Sequence, residues 1–152
     1  MRLLLTSFIA ICLMLLQAWK TSKPITYNAN SWSISVGKKV LLASWQNNEM
    51  GDTATLSILK IKSTDTLFAQ RFLCGYNGNN SVSTLTVKNE RNEAIAASIH
   101  TNKDMSYTAK MPLASIIKAI SIQGKTIGIY FTIEDNNDLL SKPVLLGRLR
   151  LN

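Results

Sequence analysis

Two cysteines and a single histidine among 152 residues deprive this chain of the side chains from which most nucleophilic and metal chemistry is built. A Ser-His-Asp or Cys-His arrangement needs an imidazole beside its nucleophile. The one imidazole, His100, falls on what reads as the outward phase of its strand. A copper site in a β-sandwich asks for two histidines, and neither Cys-x-x-Cys nor His-Glu-x-x-His zinc spacing occurs. The oxygen-rich run Glu134-Asp135-Asn136-Asn137-Asp138 lacks the spacing and the glycine of an EF-hand loop. The expectation is no catalytic residue, no metal and no cofactor. Glycoside hydrolysis needs only two facing acids, so a small extracytoplasmic hydrolase stays as a distant alternative. The acids here all fall in turns or at strand ends, where solvated carboxylates belong.

Long apolar runs are lacking too, with one exception. Arg2 precedes an uncharged stretch from Leu3 to Leu16 that exits through Gln17-Ala18, the pattern of a secretory signal peptide over residues 1–18. The run is shorter than the roughly 20 apolar residues of a spanning helix, so no stable membrane span is expected after cleavage. Cys12 lies inside the run, behind Ile9-Ala10-Ile11, which argues against a lipid anchor. The sequence thus predicts a secreted or periplasmic protein with a leader or edge strand over 19–30 and one domain over 31–152. Cleavage would remove Cys12 and leave Cys74 alone, so no internal disulfide can form. Cys74 reads as a small strand residue.

Dense basic blocks are missing despite a net charge of +8 from 17 basic and 9 acidic side chains. The cations come scattered, as Lys38-Lys39, Lys60 with Lys62, Lys88 with Arg91 and Arg148 with Arg150. Neither a nucleic-acid arm nor the aromatic interleaving of single-strand binders is present. The balance implies a soluble basic surface and leaves room for an anionic partner, but not nucleic acid.

What the chain does have is strand periodicity. Trp32, Ile34 and Val36 alternate with three serines, and Ile127, Ile129, Phe131 and Ile133 alternate with Thr126, Gly128, Tyr130 and Thr132. Ile95, Ala97 and Ile99 read as the inward phase of another strand, as do Tyr107, Ala109 and Met111. Leu85 with Val87, and Leu145 with Leu149 and Leu151, mark two more. Residues 39–45 are apolar on both phases, as in a central strand covered on both sides. The apolar phase slips by one near Ile58, which predicts a bulge there. Residues 67–74 read as a strand with no assignable inner face.

Turn chemistry separates these runs at short intervals, and the loop from Gly75 to Asn80 reads as a hairpin connection. About nine short strands joined in this way predict an all-β fold, an immunoglobulin-like antiparallel β-sandwich. One helix is expected near 113–120, where Leu113, Ile116, Ile117 and Ile120 follow Pro112 at helical spacing. The spacing Asp104-x-x-Tyr107 resembles the tyrosine corner of immunoglobulin-like domains, whose cysteine pair this chain lacks.

A fold of this kind with no reactive side chains predicts a non-enzymatic interaction module for a protein or cell-envelope component; a carbohydrate- or lipid-binding module is the main alternative. Candidate contacts are Tyr130, Gly128 and Thr132 on one sheet face, with the glycine leaving space beside the ring for a partner. Tyr76 and Asn77 in the asparagine-rich loop could stack on and hydrogen-bond a sugar, and Trp45 at a strand end is free enough to serve as a platform.

Overall fold

The computed structural model describes residues 30–120, 125–134 and 142–152. The expected signal peptide, the leader up to residue 29 and the stretch from Asp135 to Asp138 lie outside them.

Nine strands form two sheets packed as a sandwich. One sheet has four strands, β1 (Asn30–Val36), β2 (Lys39–Ala43), β4 (Thr66–Leu73) and β7 (Tyr107–Pro112), in the order β2-β1-β4-β7. The other has five, β3 (Thr53–Leu56), β5 (Val82–Lys88), β6 (Ala94–Thr101), β8 (Thr126–Glu134) and β9 (Val144–Leu151), in the order β3-β9-β8-β5-β6. All neighbours are antiparallel except β3 and β9. That parallel pair corrects the expectation of a purely antiparallel sandwich, and it arises because the chain enters β3 from the other sheet rather than through a hairpin.

The clean alternations fold as their period requires. Trp32, Ile34 and Val36 face the core from β1, and Ile127, Ile129, Phe131 and Ile133 face it from β8. Leu85, Val87, Tyr107, Ala109 and Met111 join them. Burying each large side chain contributes roughly 1.5–3 kcal/mol, and no disulfide adds to it among the described residues. The helix α1 (Leu113–Ala119) follows Pro112 and seats Leu113 and Ile116 in the core. It closes one end of the sandwich, here the helix end, together with the β1–β2 turn, residues 57–65 and the β5–β6 turn.

Several local expectations are corrected. Residues 39–43 form an edge strand, not a central one. The β1–β2 register slips so that Ile34 opposes Leu42 and Ser35 opposes Val40, which leaves Leu41 as the extra residue and makes both phases apolar. The slip near Ile58 is a 3-10 turn over Ile58–Lys60, fixed by the Ile58 N–H donating to the Asn152 carbonyl at 2.8 Å, and not a bulge. A true bulge sits in β9, where Ile129 opposes Gly147 but Tyr130 opposes Leu145, driving Leu146 into the core. In β6 the phases are reversed. Ser98 and His100 oppose the buried Leu85 and Ser83, so they face inward with Ala96, while Ile99 is 72 % exposed. Small and polar residues suit that narrow margin, where the Ser98 hydroxyl donates to the Lys110 carbonyl of β7 at 2.7 Å. The last two corrections concern neighbours: Cys74 lies just past β4 and is exposed, and residues 75–80 cross from one sheet to the other instead of closing a hairpin.

The crossing is held by Asn102, a buried side chain at the end opposite the helix. Its amide donates to the Ser81 and Ser83 hydroxyls at 3.0 and 2.7 Å, and its carbonyl accepts the Thr108 N–H at 2.7 Å. Gly78 packs so closely under this loop that a Cβ there would stand 3.0 Å from the carbonyl oxygens of Asp104 and Ser106. β4 also has an assignable inner face after all, Leu67, Ala69, Arg71 and Leu73. Arg71 opposes Trp32 on one side and Tyr107 on the other, and burial pulls its guanidinium below its ordinary pKa, partly offset by Tyr107.

Candidate functional site

The outer face of the four-stranded sheet carries a small concave surface with ligand-binding chemistry. Strand alternation turns Ser31 and Ser33 of β1 outward, opposite Phe72 and Gln70 of β4. Trp45 joins them from the 3-10 turn Ser44–Gln46 that ends β2. That turn is anchored twice: the Trp32 N–H donates to the Ser44 hydroxyl at 3.2 Å, and the Ala43 N–H donates to the Asn48 side chain at 3.0 Å. The result is a cleft of about 100 Å³ between Trp45 and Phe72, floored by Ser31, Ser33 and Gln70 and edged by Ser106. Trp45 is 56 % and Phe72 41 % exposed, so both rings offer apolar area to a ligand.

The chemistry of this cleft is specific in what it omits. Among the described residues lining it there is no charged side chain, although the protein is strongly basic. Hydroxyls and one amide can donate and accept hydrogen bonds with a neutral partner. Two aromatic faces can hold an apolar ring surface beside them.

The second candidate surface lies on β8. Tyr130, Gly128 and Thr132 share its outer face as expected. The space beside Gly128 is nevertheless filled from within: a Cβ there would stand 2.8 Å from Tyr130 Cε2 and 3.5 Å from Leu145 Cδ1. The tyrosine ring leans over its own glycine, in the manner by which an aromatic covers a strand glycine. Lys88 Nζ lies over the ring 4.6 Å from its centroid, and the phenol donates to the Asn92 side chain at 3.4 Å. The ring is therefore already engaged.

Tyr76 and Asn77 are exposed in the crossing loop. The Tyr76 N–H closes a turn onto the Leu73 carbonyl, and the Asn77 side chain accepts the Asn79 N–H at 3.0 Å. The Asn77 side-chain carbonyl is thus occupied by its own loop.

No family model matches the chain, and no curated protein resembles its sequence significantly. The site accordingly has to be read from its own geometry.

Among the described residues no group of three or more His, Cys, Asp or Glu side chains gathers where a metal could sit. The structure brings Trp45 together with Phe72 and the serines, and Tyr130 together with Gly128, but each set occupies a different sheet. Phe72 was not among the sequence candidates. Its signal was present: once Leu67, Ala69 and Leu73 are recognised as one phase of β4, Phe72 is left on the other, an aromatic on an outward face.

Proposed function

We propose that this protein is a non-catalytic binding module acting outside the cytoplasm, and that it takes a neutral glycan of the cell envelope in the Trp45–Phe72 cleft. The observation that carries the reading is the lining: two exposed aromatic rings beside serine hydroxyls and the Gln70 amide, with no charge. Sugars present apolar ring faces edged by hydroxyls, and the cleft offers the complement to both. An extracytoplasmic location rests on Arg2, the apolar run from Leu3 to Leu16 and the Gln17-Ala18 exit. The test is a titration against an array of neutral and charged glycans. Retention of neutral glycans with little salt dependence is the expected result; retention of charged glycans alone would assign the binding to the basic surface instead.

The topology we propose is immunoglobulin-like. Three neighbours in each sheet support it, β1-β4-β7 in the positions of strands A, B and E and β9-β8-β5 in those of G, F and C. Tyr107 begins β7, the E-like strand, whereas a tyrosine corner belongs at the start of F. The Asp104-x-x-Tyr107 spacing therefore lends this reading no weight.

A further inference from the structure

The cations that look scattered along the sequence converge in the fold. The β1–β2 turn brings Lys38 and Lys39 to the helix end, the 57–65 segment brings Lys60 and Lys62, and the β5–β6 turn brings Arg91. Lys118 near the end of α1 and Lys125 just before β8 stand at the same end. Among the described residues only Asp65, Glu90 and Glu93 oppose them there, and each has an oxygen accepting a hydrogen bond from its own loop or a neighbouring segment. At the other end, among the described residues, acids balance bases: Glu49, Asp104 and Glu134 stand with Arg71, Lys103 and Lys142. The protein is polarised along the sandwich axis, and the sign of the pole is positive.

An exposed apolar element sits within that pole. Leu59, 87 % exposed on the 3-10 turn, directly precedes Lys60. Beside it a groove of about 340 Å³ opens between β2 and β3, floored by Val36, Leu41, Leu56 and Ile61 and flanked by Lys39 and Lys60, with Asp65 as its one acid. A soluble polyanion gains nothing from a projecting leucine or an apolar groove. A bilayer with acidic headgroups engages both, its phosphates meeting the lysines and its acyl boundary receiving the leucine.

We propose that the helix end docks on the surface of a membrane containing anionic lipid, with Lys39, Lys60 and Lys62 at headgroup level and Leu59 inserted beneath them. This surface is separate from the glycan cleft, which lies on the outer face of the four-stranded sheet with its Trp45 at the opposite end.

The test is co-sedimentation of the full chain with vesicles of phosphatidylcholine alone and of phosphatidylcholine with phosphatidylglycerol, at low and high salt. The quantity read is the ratio of the two partition constants, so that any contribution of residues 1–29 common to both vesicles cancels. The expected result is a ratio well above one that collapses with salt. Lys39→Gln with Lys60→Gln should lower it about twenty-fivefold, at roughly fivefold for each basic residue near the surface. Leu59→Ser should lower binding to the anionic vesicles about tenfold. All these positions are exposed, and unchanged circular dichroism establishes that the variants are folded. Equal partition onto both vesicles overturns the proposal. So does competition by the soluble polyanion heparin together with an indifferent Leu59→Ser variant, a result that would assign the pole to polyanions.

Discussion

Replacing Asn102 by alanine isolates the contribution of one buried polar residue to the crossing between the sheets. Its side chain donates to Ser81 and Ser83 and accepts from the Thr108 N–H, whose hydroxyl lies 3.3 Å from the same oxygen. Truncation leaves the part-buried Thr108 N–H and the buried Ser83 hydroxyl without this partner. Each buried group stranded in this way costs about 1–3 kcal/mol, so the variant should lose about 3 kcal/mol. At a slope of roughly 1–3 kcal/mol per molar urea, the unfolding midpoint should fall by about 1–3 M with the slope unchanged. Asn102→Asp refines the test, because it keeps the acceptor for Thr108 but sets a carboxylate against the Ser81 carbonyl oxygen. Burial raises the folded pKa of that carboxyl above its unfolded value of about 4. The penalty is then small below pH 4 and grows as pH rises through the folded pKa, so this variant should be closest to the native protein in acid. The exposed Asn77→Ala serves as control and should stay within about 0.5 kcal/mol. A loss below 1 kcal/mol for Asn102→Ala, or an aspartate variant insensitive to pH, would refute the assignment of Asn102 as the tie between the sheets.

Two further substitutions probe the core. Phe131→Ala should cost about 3–5 kcal/mol and Thr132→Ala under about 1 kcal/mol, because their side chains leave β8 on opposite faces; comparable losses in denaturant titrations would mean that the faces are misassigned. Arg71→Met should not lower the thermal unfolding temperature, since a buried guanidinium is itself costly to desolvate; a fall of several degrees would establish that the charge holds the structure together.

The parts of the fold legible in the sequence were those where a single face is buried over a whole strand. β1, β7 and β8 alternate because one side meets the core and the other meets solvent, and the helix stripe after Pro112 is equally direct. The failures lie where another element overrides the period. In β2 a bulge at Leu41 shifts the phase, and in β6, an edge strand, the inward positions hold alanine, serine and histidine while Ile99 faces outward. Strand partners distant in sequence were invisible as well: nothing local to residues 53–56 announces a parallel pairing with β9. The same limit governs the site. Trp45 could be singled out as an exposed aromatic, but its association with Phe72 depends on β1 lying between β2 and β4. Tyr130 and Gly128 could be placed on one face, but not the inclination of the ring over the glycine. The basic pole is a product of topology alone, assembled from turns far apart in the chain.

The most direct test of the binding account compares Trp45→Ala with Tyr130→Ala by calorimetric titration against the neutral glycan retained best on the array. Truncating an aromatic anchor at the centre of a binding surface costs about 2 kcal/mol or more, so Trp45→Ala should weaken the affinity at least thirtyfold while Tyr130→Ala leaves it within twofold. Loss on Tyr130→Ala with Trp45→Ala unaffected, or no retention of any neutral glycan by the native protein, would contradict the account.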